Sequence, residues 1–88
     1  MEYNNLPTNC NEVIKFLKNL GFVESKKHGV GGHQYKYYHP DRQMICYQNR
    51  PFIIVTTKIW KRIIQKIIKK VKTCYCFSDQ EIQKALND

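Results

Sequence analysis

Phe52-Ile53-Ile54-Val55-Thr56-Thr57 runs without a break into Lys58-Ile59-Trp60-Lys61-Arg62-Ile63-Ile64-Gln65-Lys66-Ile67-Ile68-Lys69-Lys70-Val71-Lys72. The first six residues are β-branched or aromatic, the kind that fills a central strand. The next fifteen change period. Projected at about 100° per residue, Ile59, Trp60, Ile63, Ile64, Ile67, Ile68 and Val71 share one half of a helical circle. Lys61, Arg62, Gln65, Lys66, Lys69, Lys70 and Lys72 share the other. One half is a core face and the other is strongly positive. An apolar stripe that follows a strand is more economically buried against a sheet than in lipid, so this pair predicts a helix packed on a sheet.

Working back from Pro51, Gln43-Met44-Ile45-Cys46-Tyr47 reads equally as a short strand or a loop arm. His39-Pro40-Asp41-Arg42 breaks the chain, because Pro40 lacks a ladder donor and pushes its predecessor towards extended geometry. Gln34-Tyr35-Lys36-Tyr37-Tyr38-His39 alternates as a strand, and Phe22 to Lys27 makes another. His28-Gly29-Val30-Gly31-Gly32 between them is turn-forming, which suggests a hairpin. Asn9 to Leu20 carries Cys10, Val13, Leu17 and Leu20 at helical spacing. Thr8 or Asn9 can cap that helix, Glu12 suits its positive end, and Gly21 can stop it in a left-handed conformation. Downstream, Ser78-Asp79-Gln80-Glu81 has the S-x-x-E capping signature, which predicts a short helix from Ile82 to Leu86.

The order is helix, three strands, helix, helix: an α+β domain with helices on one face of a small sheet. The 88 residues allow one domain, with a core over about 9–72 and a C-terminal extension over 73–88. Fifteen Lys and Arg against seven Asp and Glu leave a net charge of +8. That balance points to a polyanionic partner, whether nucleic acid, an acidic protein or an anionic membrane. At 42% hydrophobic and 12% aromatic residues, the chain is too apolar for a disordered basic tail.

Cys10, Cys46, Cys74 and Cys76 have no paired metal-ligand spacing, so zinc is not expected. Met1 to Asn5 lacks the basic and apolar regions of a secretory signal, and the cysteines read as reduced thiols in a cytoplasmic protein. The longest apolar runs fall far short of the roughly 20 residues that a membrane-spanning helix needs.

His28, His33 and His39 lie within a dozen residues of one another. Histidine titrates near pH 6.5, so it can take a proton from a ribose hydroxyl or give one to a leaving oxygen. In a strand His33 and His39 are six positions apart, roughly 20 Å, too far to serve one phosphate. A hairpin that pairs His28 with His33 would bring their Cβ atoms to about 5 Å. His39 reads as a strand-end residue packing before Pro40. The glycines match neither a P-loop nor a dinucleotide fingerprint, and serve as turn formers or as a backbone approach to phosphate. Tyr35, Tyr37, Tyr38 and Tyr47 can stack on bases, although sheet packing accounts for most of them.

Several of these features together resemble the HicA family of toxins from bacterial toxin–antitoxin systems. They are the opening helix that ends in Leu20-Gly21-Phe22, the Lys26-Lys27 approach to a glycine turn, and His39-Pro40-Asp41, which matches the family's His-Pro-Asp turn. Gly32-His33 stands where the family has Gly-Ser-His, and a strand followed by a Lys/Ile-rich helix completes the order. The similarity spans roughly residues 10–72. It implies a double-stranded-RNA-binding-like fold and a metal-independent endoribonuclease that cleaves mRNA, with His33 as the catalytic residue. It also implies a HicB-like antitoxin partner, and neither a metal nor a cofactor.

The expected activity therefore has His33 transferring a proton, His28 as the candidate assisting residue, and Lys26, Lys27 and Lys36 contacting phosphates. A non-catalytic RNA-binding module of the same fold is the first alternative. The second is a protein that binds a partner or a membrane surface through Lys58–Lys72.

Overall fold

The computed structural model describes residues 3–25, 34–42 and 52–88. Helix α1 spans Cys10–Asn19, strand β1 Val23–Glu24, β2 Gln34–Tyr38 and β3 Ile53–Thr56; α2 spans Lys61–Thr73 and α3 Asp79–Asn87. The three strands form one antiparallel sheet in the order β1-β2-β3, with Val23 opposite Tyr38 and Gln34 opposite Thr56. The α+β class and the element order agree with the sequence, but β3, whose β-branched run reads as a central strand, lies at the edge of the described sheet, and β2 takes the centre. Gln43–Tyr47 and the His28–Gly32 turn lie outside the described residues.

Side-chain alternation decides which way the sheet faces. Ile53 and Val55 of β3 and Tyr37 of β2 are buried, and Lys36, Ile54 and Thr56 take the opposite side. The core joins these three to Val13, Phe16 and Leu17 of α1, to Ile64, Ile67, Ile68 and Val71 of α2, and to Ile82 and Ala85 of α3. Each such aliphatic side chain contributes about 1.5–3 kcal/mol when taken from water. Tyr75 and Phe77, between α2 and α3, are buried in the same cluster, which makes residues 73–88 part of one core.

Local chemistry sets the helix ends. Asn9, rather than Thr8, caps α1, its side chain accepting the Glu12 N–H at 2.9 Å. Thr8 instead donates its N–H and hydroxyl to the Glu12 carboxylate. Gly21 follows α1 with φ +97°, the left-handed conformation expected of it. Ser78 and Glu81 form a reciprocal capping box, and that box starts α3 at Asp79, three residues before the predicted Ile82.

Two further expectations need correction. Helix α2 begins at Lys61 and not at Lys58. Trp60 is its extended N-cap residue (φ −110°, ψ 155°), and its side chain is 65% exposed rather than part of the core face. Residues 57–60 are used instead to turn from β3 into the helix, with the Thr56 hydroxyl donating to the Lys58 carbonyl at 2.6 Å. The second correction is that Cys74 is disulfide-bonded, so the reduced-thiol reading does not hold there; Cys10 and Cys76 are free thiols. Burial raises the Cys10 thiol above its ordinary pKa, which makes it a poor nucleophile.

Segments distant in sequence are tied together by polar contacts. The Tyr3 hydroxyl donates to Asp79, and Asn4 donates its N–H to the Gln83 side chain at 2.9 Å and accepts from it at 3.0 Å. Asn19 of α1 donates to the Ala85 carbonyl of α3 at 3.0 Å. Arg42 donates to the carbonyls of Tyr75 and Cys76 and to the Glu81 carboxylate, with its guanidinium 3.9 Å from the Phe77 ring centroid.

Candidate nucleic-acid interface

Of the candidate residues read from the sequence, the sheet register places Lys36. The Ser25 N–H donates to the Lys36 carbonyl at 2.8 Å, continuing the β1–β2 pairing past Glu24. The chain therefore leaves β1 and re-enters β2 at the end of the sheet where Gln34 faces Thr56. Lys26, Lys27, His28, Gly32 and His33 belong to the intervening segment and lie outside the described residues. The described part of this sheet end is the start of β2, the end of β3 and the turn into α2.

Lys36 sits opposite Ile54, on the face of the sheet turned away from the core. Its ammonium lies 4.7 Å from the Phe52 ring centroid, within cation–π range. Alternation places Tyr38, 41% exposed, on the same face. Tyr37 faces inward and is 2% exposed, so no base can reach its ring. Burial, followed by the nearby Glu24 carboxylate, raises the Tyr37 hydroxyl above its ordinary pKa. Tyr35 is half-buried against the core. Of the three tyrosines in β2, Tyr38 alone offers an open ring, and Tyr47 is outside the described residues.

The polar half of α2 presents Lys61, Arg62, Lys66, Lys69 and Lys72 to solvent. Lys72 is engaged by Asp79 at 3.1 Å. A groove of about 580 Å³ between β3 and α2 is lined by Phe52, Ile54 and Ile63 together with Lys66 and Lys69. Such a surface favours an anion that carries apolar or planar groups.

His39 has a different task. Its Nε2 lies 3.0 Å from the Leu20 carbonyl oxygen, and its Nδ1 accepts the Asp41 N–H at 3.1 Å. A carbonyl can only accept, so the proton sits on Nε2. The ring packs edge-on against Phe22 (5.1 Å between centroids) and Phe77 (5.4 Å). With both nitrogens engaged and two aromatic rings against it, His39 organises the His-Pro-Asp turn, as its place before Pro40 suggested.

Arg42 and the exposed Trp60 are the residues that sequence reasoning missed. An Arg after a turn signals nothing about carbonyl partners more than thirty positions away. Trp60 could have been questioned, since Trp is a poor cap and no acidic residue supports the first turn of α2.

Among the described residues no cluster of three or more His, Cys, Asp or Glu could hold a metal ion. None of their helices is long and apolar enough to cross a membrane. Compared with protein-family models, curated proteins and solved structures, the chain matches none.

Proposed function

We propose that this chain is a HicA-like endoribonuclease toxin that cleaves mRNA without a metal and is held in check by a HicB-like antitoxin. The observation that carries the reading is the Gly32-His33 pair at the entry to β2, in a chain of net charge +8. The helix-strand-strand-strand-helix order is compatible with the double-stranded-RNA-binding-like fold that the resemblance implies, with α3 added. His33 transfers the proton. As the ribose 2′-oxygen attacks the adjacent phosphorus its proton passes to a base, the bond to the 5′-oxygen breaks, and that oxygen receives a proton. His33 takes one of these roles and His28 is the candidate for the other. Lys26, Lys27 and Lys36 hold the scissile phosphate and stabilise the charge that grows on it. His39 is left out of this chemistry because its ring is committed to Leu20 and Asp41.

The test compares purified wild type and His33→Ala on unstructured RNA in the presence of EDTA, with circular dichroism to verify folding. Wild type is expected to cleave and His33→Ala to lose at least about a hundredfold in rate. Cleavage unchanged by the substitution removes His33 from the mechanism. Folded wild type that binds RNA without cutting it leaves a non-catalytic RNA-binding module. Controlled expression of the same pair, followed by growth and message integrity, extends the test to the cell.

A further inference from the structure

We infer that Trp60, with Lys58, Lys61 and Arg62, is a second contact for single-stranded RNA, separate from the His33 segment, in which the indole stacks on an unpaired base and the cations hold the flanking phosphates. The inference rests on the part of the proposed function that makes RNA the ligand. Helical projection assigns Trp60 to the core, yet at 65% it is the most exposed large hydrophobic side chain among the described residues. Lys58, Lys61 and Arg62, its near neighbours in sequence, are also exposed, and the first turn of α2 holds no acidic residue. The ion pairs among the described residues, Arg42–Glu81 and Lys72–Asp79, use none of these three cations.

An exposed indole with unpaired cations close to it in sequence suits a partner that offers both a planar π-face and negative charge. Unpaired bases on a phosphate backbone supply both, whereas a duplex hides its base faces. A membrane interface also attracts Trp and Lys, but it needs an apolar helix face to insert. In α2 that face, Ile64, Ile67, Ile68 and Val71, is already buried in the core. The position fits as well. Thr56 pairs with Gln34, the residue that directly follows His33 in the chain, and only Thr57, Lys58 and Ile59 separate Thr56 from Trp60. A strand of RNA engaged near the entry to β2 passes the turn that carries the indole.

Trp60 is the only tryptophan, so its fluorescence reports on this site directly. A short 2′-O-methyl oligouridylate, which lacks the nucleophilic hydroxyl, separates binding from cleavage. Titration into wild type is expected to quench the emission. In Trp60→Ala, followed by anisotropy of a labelled oligomer, the Kd should rise about 5- to 100-fold, with most of the loss recovered in Trp60→Phe. Lys61→Ala should lower the salt slope of binding by about one. No quenching, or an unchanged Kd in Trp60→Ala, overturns the inference. So does a blue shift on vesicles rich in phosphatidylglycerol without quenching by the oligomer. Cleavage of ordinary RNA by wild type with unchanged binding by Trp60→Ala leaves the nuclease reading standing alone. Quenching with no cleavage by wild type leaves the stacking contact standing without the nuclease.

Discussion

The Nε2 of His39 donates to the Leu20 carbonyl, and a Cβ added to Gly21 would lie 3.0 Å from that same nitrogen. The end of α1 and the His-Pro-Asp turn are thus fitted to each other at a single atom. Gly21 is required twice over, by its positive φ and by the ring above it. Gly21→Ala is expected to cost about 1–3 kcal/mol, and His39→Ala about 2–3 kcal/mol through its hydrogen bonds and ring contacts. In the double variant the clash disappears while the backbone strain stays. Urea unfolding should therefore give a total smaller than the sum of the two single effects.

Arg42 joins the same turn to the start of α3 through three hydrogen bonds and the face of Phe77. Lysine cannot reproduce a planar fork that reaches two carbonyls and a carboxylate together. Arg42→Lys should destabilise by about 1–2 kcal/mol, and Arg42→Ala by no less, measured by chemical denaturation. Ser78→Ala, which removes the cap that the turn supports, should cost about 1 kcal/mol.

The carboxyls near this junction define an acid limb. Asp79 lies below its ordinary pKa, first because Tyr3 donates to it and then because Lys72 lies beside it. Glu81 is lowered by the Ser78 N–H and then by the Ser78 side chain and Arg42. A carboxyl depressed in the folded state adds stability that is present above the unfolded value of about 4 and is lost as pH falls through the folded value. Urea midpoints should fall below pH 4, and Asp79→Asn should flatten that fall.

The alkaline limb has the opposite sign. Burial pushes the Tyr75 hydroxyl up to about 12. A raised folded pKa gives stability that is complete below the unfolded value near 10 and is lost as pH rises towards 12. Tyr75→Phe keeps the ring and removes the titrating group, so thermal unfolding between pH 9 and 12 should become less steep in pH.

Lys36 offers a test at the proposed interface. With its ammonium over Phe52 on the open face of the sheet, it can reach a phosphate without leaving the core short of a contact. Lys36→Ala should weaken RNA binding evenly across sequences and lower the salt slope by about one, with little change in stability.

The sequence was most legible where one local rule acts alone. The S-x-x-E box, Gly21 and the alternation through β2 each express a single requirement of backbone geometry, and each is found in the fold. Legibility fell where two rules compete. The apolar period of α2 extends smoothly back to Trp60, but the turn out of β3 needs residues 57–60, and geometry overrides the period. Arg42 and Cys74 could not be read at all, because their roles depend on partners that only the tertiary fold supplies. For the site, the sequence treated Tyr35, Tyr37 and Tyr38 alike, and only the strand pairing shows that Tyr38 is open while Tyr37 is buried, a distinction that residue type does not carry.

The pairing of Asn4 with Gln83 bridges 79 positions of sequence, and that of Asn5 with Asn87 bridges 82. Residues 3–5 and 79–87 therefore lie side by side, and a short linker between them would close the backbone into a ring with little strain. Reopened at the exposed turn between Thr57 and Lys58, the ring gives a circular permutant in which these long-range contacts become local. Low contact order speeds folding, so the permutant should reach the native state faster than the parent.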